Sequence, residues 1–526
     1  MPLPDGGNVP WPPQHCGPIN AQYAAWSAWY AGDPEQLSAI YGGARGSRDT
    51  TGFFASERGG FRAGVRRAFD SVRRWFWGNT RSSNTPRQRL HVPIAGDIAS
   101  ASADLLFSEP PAVTAADDAT QARLAELLDD GTHATLLEAA EICAALGGVF
   151  LRIVWDPASR PGRPWITAVH PDVAVPEWSW GRLSAVTFWR DIARDGRTVV
   201  RHLERHEPGV IIHGVYEGDT ETLGRLVPLT DYPQTASLAD EQLVNGNEVR
   251  TGAPGITAVY VPNMRPNRLW RTVPDAAYLG RSDYAGVEPL MDALDMTYSS
   301  WMRDVELGKA RLIVPREYLR PNGGPGQGAS VDLDQEVYEG INSMASDAGG
   351  VEIKEVQFEI RVAEHQATIA DLKASIVTAA GYSGQTFGLS GDVAMTATEV
   401  AARERRSLIT RDRKTRYWRP ELAGLYETLL YVDAALFGTA VVPQRPQVEW
   451  ADSVSVDPLA QAQTLQALAT AEAISTWQKV KTLHPDWQTS EVQAEVDRIH
   501  AGLGTGDPPA ATLAGLAGQD PGAFGG

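Results

Sequence analysis

Cysteine is nearly absent from this chain. Two residues, Cys16 and Cys143, serve 526 positions, too few for a disulfide framework, and a reducing compartment is expected. Lysine is scarce too: it occurs six times, and arginine supplies most of the positive charge. That bias, with abundant Ala and Gly, reads as the imprint of a GC-rich genome more than as a binding requirement. No apolar run reaches the ~20 residues of a membrane span; the best candidate, LAGLYETLLYVDAALFG, is interrupted by Glu427 and Asp433. The opening MPLPDGGNVPWPPQHCG has neither the basic nor the apolar region of a signal peptide. Positive charge is outweighed as well: 65 acidic residues face 47 basic ones, a net charge of -18. Tight nonspecific DNA binding needs many uncompensated phosphate contacts, so this balance argues against it.

Catalytic signatures are missing in the same way. No Walker A sequence, no GxSxG and no Cys-His pattern occurs. GGPGQG is glycine-rich, but no Lys-Ser/Thr follows it, and it reads as a loop. His202 and His206 sit four apart on an expected strand, where they share a face but lie ~13 Å apart, a poor metal pair. His213 adds little. Asp332, Asp334 and Glu336 alternate without the glycine and spaced glutamate of a calcium loop, and read as a solvated strand. Cys143 falls in an apolar helix and reads as core. No catalytic residue, metal or cofactor is expected.

What is present is hydrophobic substance and a definite order of elements. The chain is 43% hydrophobic with 16 tryptophans, enough for two to four domains. Residues 1–45, rich in Pro, Gly and Trp, read as a flexible or peripheral arm, with YAAWSAWYAG as a short helix. Residues 45–89 hold eleven arginines against three acids. Within them GGFRAGVRRAFDSVRRWFWG is an amphipathic helix with Phe61, Val65, Phe69, Val72 and Phe76 on one stripe. It reads either as a contact with nucleic acid or an acidic partner, or as a packed helix with a solvated arginine face, the second being preferred. A helix stopped by Pro110 and Pro111 follows, then two more before Gly147. The period then changes to two: VFLRIVWD, PWITAVH, LSAVTFWRDIA, TVVRHLERHE and GVIIHGVYEG read as strands, with a hairpin turn in RHEPGVI.

From Tyr284 the helical period returns. One helix begins near Pro289 and carries Leu290, Leu294, Tyr298, Trp301 and Val305 on a stripe. A strand-and-loop insert follows. A second helix starts by Val362 with Ile369, Leu372 and Ile376 aligned, and SGQTFGLSGDVAM is a loop. Thr396-Ala-Thr-Glu399 is a capping box for a helix that runs to Phe437, ~60 Å at ~1.5 Å per residue, with a kink expected at Pro420. PQVEWAD is a strand. Asp457-Pro458 caps a helix through Val480, SEVQAEVDRIHAG is the last helix, and the Gly/Pro/Ala-rich tail, 503–526, reads as disordered. From Glu427 onward twelve acids face four basic residues.

This order resembles the portal protein of long-tailed, siphovirus-type double-stranded DNA bacteriophages. The stretches that carry it are HVPIAGDIASASADLLFSEPPAV, GGVFLRIVWDP, HPDVAVPEWSWGRLSAVTFW, GRSDYAGVEPLMDALDMTYSSWMRDVELGKARLIVPREYL and GYSGQTFGLSGDVAMTATEVAARERRSLITRDRKTRYWRPELAGLYETLL. They cover roughly residues 90–480, and their specificity lies in number and order, not in any one motif. The resemblance implies an α+β portal fold of wing, stem, clip and crown, assembled as a ring of commonly twelve subunits at one capsid vertex, and a non-enzymatic role. It is expected in the virion, after assembly in the host cytoplasm. By family anatomy, 46–281 would be wing, 282–309 the first stem helix, 310–361 the clip, 362–380 the second stem helix, 381–395 the tunnel loop, 396–449 the long kinked wing helix with its strand, and 450–502 the crown.

Double-stranded DNA would pass the tunnel loop without sequence specificity, meeting Gly384, Gln385, Thr386, Phe387, Gly388, Leu389, Ser390, Gly391 and Asp392; an ordinary helix connection would look the same in composition. The clip, with Arg316, Tyr318, Arg320, Asp332, Asp334 and Glu336, would dock the terminase large subunit and later the head-tail connector or adaptor. Major capsid and scaffolding proteins are further partners. Arg403, Arg405, Arg406, Arg411, Arg413, Lys414 and Arg416 cover more than one side of the long helix, with Glu399, Glu404 and Asp412 between them. That spread suits contacts between subunits better than a single phosphate-tracking stripe. A net acidic channel would keep DNA from adhering as it slides. The alternatives are another head-tail structural protein, a connector or minor capsid protein, or a DNA-processing enzyme, which the missing motifs disfavour.

Overall fold

The computed structural model describes residues 3–42, 90–129, 131–156, 159–240, 243–273, 276–307, 360–389, 397–450 and most of 458–503, with four short strand pieces between 311 and 356. The chain divides into two compact units: Met1–Val393 with Ala402–Ser453, and Ala394–Ala401 with Val454–Gly526. The basic helix near 61–77, the tail, and the site residues Ser390, Gly391, Asp392, Arg316, Tyr318, Asp332, Asp334 and Glu336 lie outside the described residues.

The first unit is built on two antiparallel sheets and a set of helices. Strands β1 (Gly7–Pro10), β5 (Ala174–Ser179), β6 (Arg182–Asp195), β7 (Thr198–Glu207), β8 (Val210–Gly218) and β9 (Thr222–Val227) form one sheet in the order β1-β9-β8-β7-β6-β5, with β10 (Glu248–Arg250) also on β8. Strands β3 (Gly148–Val154), β4 (Trp165–Val169) and β11 (Ala258–Pro262) form the other, in the order β11-β3-β4. The hairpin read from RHEPGVI turns at Gly209, with φ of 80°. Strands β1, β5, β9, β10 and β11 were not anticipated. They are short and interrupted by Pro176, Gly224 and the flanking prolines, which blunts a period-2 signal.

The helices are α1 (Gly17–Ala31), α2 (Pro34–Gly42), α3 (Ile94–Phe107), α4 (Asp118–Asp129), α5 (Thr132–Leu146), α6 (Glu288–Leu307), α7 (Val362–Ala380) and α8 (Ala397–Phe437). Helix α8 continues through Pro420 to Phe437. Beyond it the strand Gln447–Glu449 pairs with β2 (Ala112–Thr114). The stripe on α6 is buried at its start, where Leu294 is fully covered, and opens outward at Val305, which is 41% exposed.

The N-terminal segment corrects the sequence reading. It is not a peripheral arm: Tyr23, Trp26 and Trp29 of α1 are buried in the main core, with Trp26 and Trp29 fully covered. Trp26 packs its ring 5.5 Å from that of Trp270. Its indole N–H donates to Glu288, and Tyr284 donates to the Trp26 carbonyl. Strand β1 closes the edge of the large sheet against β9. The Pro and Gly content that suggested disorder marks turns between these pieces instead.

Helix α5 is held between two left-handed glycines, Gly131 and Gly147. At Gly147, with φ of 85°, a Cβ would lie within 2.9 Å of the backbone of Gly280, Arg281 and Ser282. Only glycine lets the 280–283 backbone pass this closely, and that passage delivers Asp283 to the site described below.

In the second unit the helix expected through Val480 is two: Pro458–Thr470 and Thr476–Leu483. The break has a local cause, since the Ser475 hydroxyl caps the second helix by accepting from the Gln478 N–H. With Thr489–Leu503 this helix forms a small core of Val480, Val492 and Val496, flanked by Trp477, Trp487 and Ile499.

Candidate functional site

Helices α6 and α7 run side by side in opposite directions, and the pairs along them show it. Asp304, near the end of α6, accepts from Arg361 and from His365 Nε2, each at 3.0 Å, at the start of α7. The Trp301 and His365 rings lie stacked, 10° from parallel. Further along, the Lys373 ammonium sits 5.6 Å from the centre of the Tyr298 ring. His365 and Arg361 together hold the Asp304 carboxyl below the usual range.

Helix α7 stops at Gly381, whose φ of 102° no L side chain favours. The loop that follows is fastened to α8 at three places on one face. The Gly381 carbonyl accepts from Thr410 Oγ1 at 2.6 Å. The Ser383 N–H donates to Ser407 Oγ at 2.9 Å, and Thr386 shares a hydrogen bond with the same hydroxyl at 2.8 Å. Tyr382 reaches Lys414, whose ammonium donates to its phenol oxygen at 3.0 Å. Ser407, Thr410 and Lys414 recur at i, i+3 and i+7, the spacing of one helix face, and all three are buried. Gln385–Phe387 forms a single 3-10 turn closed by Gly388, and the Leu389 N–H returns to the Gly384 carbonyl. The described part of this loop is therefore a compact turn.

Lys414 is the centre of the anchor. Its ammonium also donates to Asp283 Oδ2 at 2.6 Å and to Ser102 Oγ at 2.5 Å. Three acceptors match its three protons. Asp283 in turn accepts from the Tyr382 hydroxyl at 2.7 Å and from Asn263 Nδ2 at 2.8 Å. Neither side chain of the pair is more than 1% exposed. Burial, and then the Asp283 charge, raise the Tyr382 phenol well above its ordinary value. Burial pushes the Cys143 thiol up as well, so it is not a poised nucleophile.

This corrects one site residue. Lys414 does not face outward for contact between subunits; it is an interior ion, neutralised within its own chain. Arg411 is also turned inward, donating to the Leu105 carbonyl of α3 at 2.7 Å. Arg413 donates to the Arg265 carbonyl at 2.7 Å. Arg405, Arg406, Arg413 and Arg416 are exposed, Arg403 is half-buried, and Ile409, among them, is 58% exposed. Arg320 falls in a short strand pair, Arg320–Pro321 with Ala329–Ser330. Helix α8 begins at Ala397, and Thr396 lies outside the described residues.

The sequence reading missed Ser102, Asn263, Asp283, Tyr382, Ser383 and Ser407. One signal was there: Lys414 is the lone lysine of an arginine-rich helix in a chain with six lysines. A compact ammonium fits a closed three-acceptor pocket, where a guanidinium would not.

A second polar cluster lies in the large sheet. His202, Glu204 and His206 share one face of β7, and His213 stands opposite Glu204 on β8. His202 Nε2 lies 3.2 Å from His213 Nδ1, His206 contacts Thr257 and Glu204, and Arg152 pairs with Glu204 at 2.5 Å. Burial, reinforced by His213, lowers His202 to about 3, and burial lowers His213 too. Burial alone would raise Glu204, yet Arg152 and His206 hold it well below the usual range. Among the described residues, no group of three or more His, Cys, Asp or Glu is placed to hold a metal ion. Among them too, no helix is long and apolar enough to cross a membrane.

Comparison with known proteins matches one family model and a number of solved chains. The family described as "Phage portal protein, SPP1 Gp6-like" matches residues 66–502. No curated protein matches the chain. Two similar solved chains come from structures titled "Neck of native GTA particle computed with C12 symmetry" and "Neck of empty GTA particle computed with C6 symmetry". They are 13% and 14% identical to this chain, with TM-scores of 0.39 and 0.37. Each match covers 74% of this chain, and 89% and 87% of the respective neighbours.

Proposed function

Since the chain belongs to the SPP1 Gp6-like phage portal protein family, we propose that copies of it close into a ring whose central channel passes double-stranded DNA into and out of the capsid. As a member of that family it is a structural component of the phage head, at the head-tail connection. The observation that carries the reading is the family match over residues 66–502, most of the chain. The anchored loop between α7 and α8 supports the finer assignment.

In that assignment α6 and α7 are the stem, residues 310–361 the clip, and the loop from Gly381 the tunnel loop. The buried Lys414–Asp283–Tyr382 knot would hold the base of the loop rigid, while its tip meets the DNA. Gln385, Thr386, Phe387 and Leu389 carry no charge, which suits a weak steric contact with a sliding duplex better than a phosphate clamp. The clip would dock the terminase large subunit during packaging and the head-tail connector afterwards. Capsid and scaffolding proteins would surround the wing.

Negative-stain images of the purified full chain are expected to show rings with a central hole, since a head-to-tail contact that closes makes a ring, with about twelve or thirteen subunits as the portal resemblance implies. A monodisperse monomer under all assembly conditions would overturn the reading. Deleting Gly384–Asp392 is expected to leave rings intact and impair DNA packaging in an assembly assay. Normal packaging by that variant would reject the role given to the loop.

A further inference from the structure

The turn joining β5 to β6 contains a residue out of place. Ser179 pairs with Arg182, so the turn is the two residues Trp180 and Gly181, both with positive φ (52° and 80°). Such turns favour Asn-Gly, because a bulky side chain is strained in the left-handed region. Trp180 is also completely exposed, at 102% of its reference surface. A large apolar ring is thus held in strained backbone and given no cover by the described residues of its own chain.

Its surroundings are arginine. A Cβ on Gly181 would touch the Tyr278 ring at 3.3 Å, and the Arg265 guanidinium lies 5.6 Å from the centre of that same ring. Arg413 reaches the Arg265 carbonyl. Arg268 and Arg413 both act on Arg281, whose half-buried guanidinium finds, among the described residues, only the Met264 sulfur, at 3.8 Å. Burial and those two charges lower the Arg281 pKa. The charges of Arg182, Arg445 and Arg265 all act on Glu421, but among the described residues no ion pair joins it to them. Among the described residues no ion pair neutralises Arg182, Arg265, Arg268, Arg281 or Arg413. Tryptophan, tyrosine and arginine are the residues that dominate the centres of protein interfaces.

The complementary surface is on the same chain, across α8. Arg411 and Arg413 are two positions apart, about 200° around a helix. Arg413 serves the arginine patch, while Arg411 serves α3 through the Leu105 carbonyl. On the α3 side Asp97, Asp104, Glu109, Asp118 and Asp129 are exposed. Arg123, a cation among them, is already bound to Asp433 and Glu126. One flank of α8 is cationic and the other anionic, so a single subunit cannot bring them together, but two copies placed head to tail can.

We infer that Trp180 and its arginine patch dock on the carboxylates of the α3–α4 surface of a second copy of this chain. The inference rests on the ring reading above and names the contact that would repeat around the ring.

The test is a charge swap in the full chain, with assembly read by mass photometry and imaging and folding by thermal unfolding. Arg182→Glu with Arg268→Glu is expected to raise the concentration needed for rings at least about tenfold, as 1.4 kcal/mol of interface energy would. Asp104→Lys with Glu109→Lys is expected to do the same. All four substitutions together are expected to restore rings, which a purely structural role for these residues would not produce. Trp180→Asn is expected to weaken assembly with no loss of thermal stability, since Asn suits the turn. Rings from Arg182→Glu/Arg268→Glu and from Trp180→Asn at the wild-type concentration would overturn the inference, as would failure of the fourfold variant to assemble. Loss of duplex DNA binding in Arg182→Glu/Arg268→Glu with assembly unchanged would make the patch a nucleic-acid site instead. A wild-type chain that never forms rings would defeat the ring reading itself, before any variant is compared.

Discussion

Lys414 and Asp283 lie 131 residues apart in sequence and 2.6 Å apart in space. Removing one partner of such a pair leaves the other charged and dry. Lys414→Met is therefore expected to destabilise the protein by about 3–5 kcal/mol, measured by chemical unfolding. Lys414→Met combined with Asp283→Asn is expected to recover most of that loss, because no uncompensated charge remains. Equal losses in the single and double variants would mean that the pair is not the source. At this scale little was legible. The charge pattern groups Lys414 with its arginine neighbours, and nothing local tells an inward cation from an outward one. Its burial depends on Ser102, 312 residues away, and on Tyr382 after the α7 stop.

Among the elements, the three central strands of the large sheet were legible, since period-2 alternation marks β6, β7 and β8 directly. The alternation also places His202 and Glu204 on one face without saying that the face is covered. Covered, His202 stays neutral, with a folded pKa of about 3 against 6.5 in an unfolded chain. Between those values the unfolded state binds the extra proton, so stability rises with pH and is lost as pH falls from about 6.5. His213 acts in the same direction. Glu204, whose folded pKa is depressed, adds its own loss only below its unfolded value of 4.5. Urea unfolding is expected to show stability falling by a few kcal/mol between pH 6.5 and 4.5, and His202→Asn is expected to flatten much of that slope. A wild-type midpoint independent of pH in this window would contradict the buried neutral pair. The helices were legible where the apolar stripe is long, as on α6 and α7. The break at Ser475 was not, because one hydroxyl outweighs a weak period.

On the scale of the whole molecule, the N-terminal segment shows how far composition can mislead. Trp26 and Trp29 are fully buried, Trp26 against Trp270, Tyr284 and Glu288, more than 200 residues away, and Trp29 beside His91. Trp26→Ala is expected to cost about 3–5 kcal/mol, read as a drop in thermal midpoint; an unchanged midpoint would restore the peripheral-arm reading. The sequence by itself determined the class of the protein. Helix and strand periods, caps and stops are properties of neighbouring residues and sufficed for an α+β chain, and the resemblance of its ordered stretches to portal proteins pointed to the family. Only the tertiary structure decided which charges are inside and which are free. It turned Lys414 inward, gave the 3–42 segment to the core, and left Trp180 beside unpaired arginines. Burial and pairing arise from contacts between residues far apart in the chain, and no local pattern encodes which distant surface will cover a given side chain.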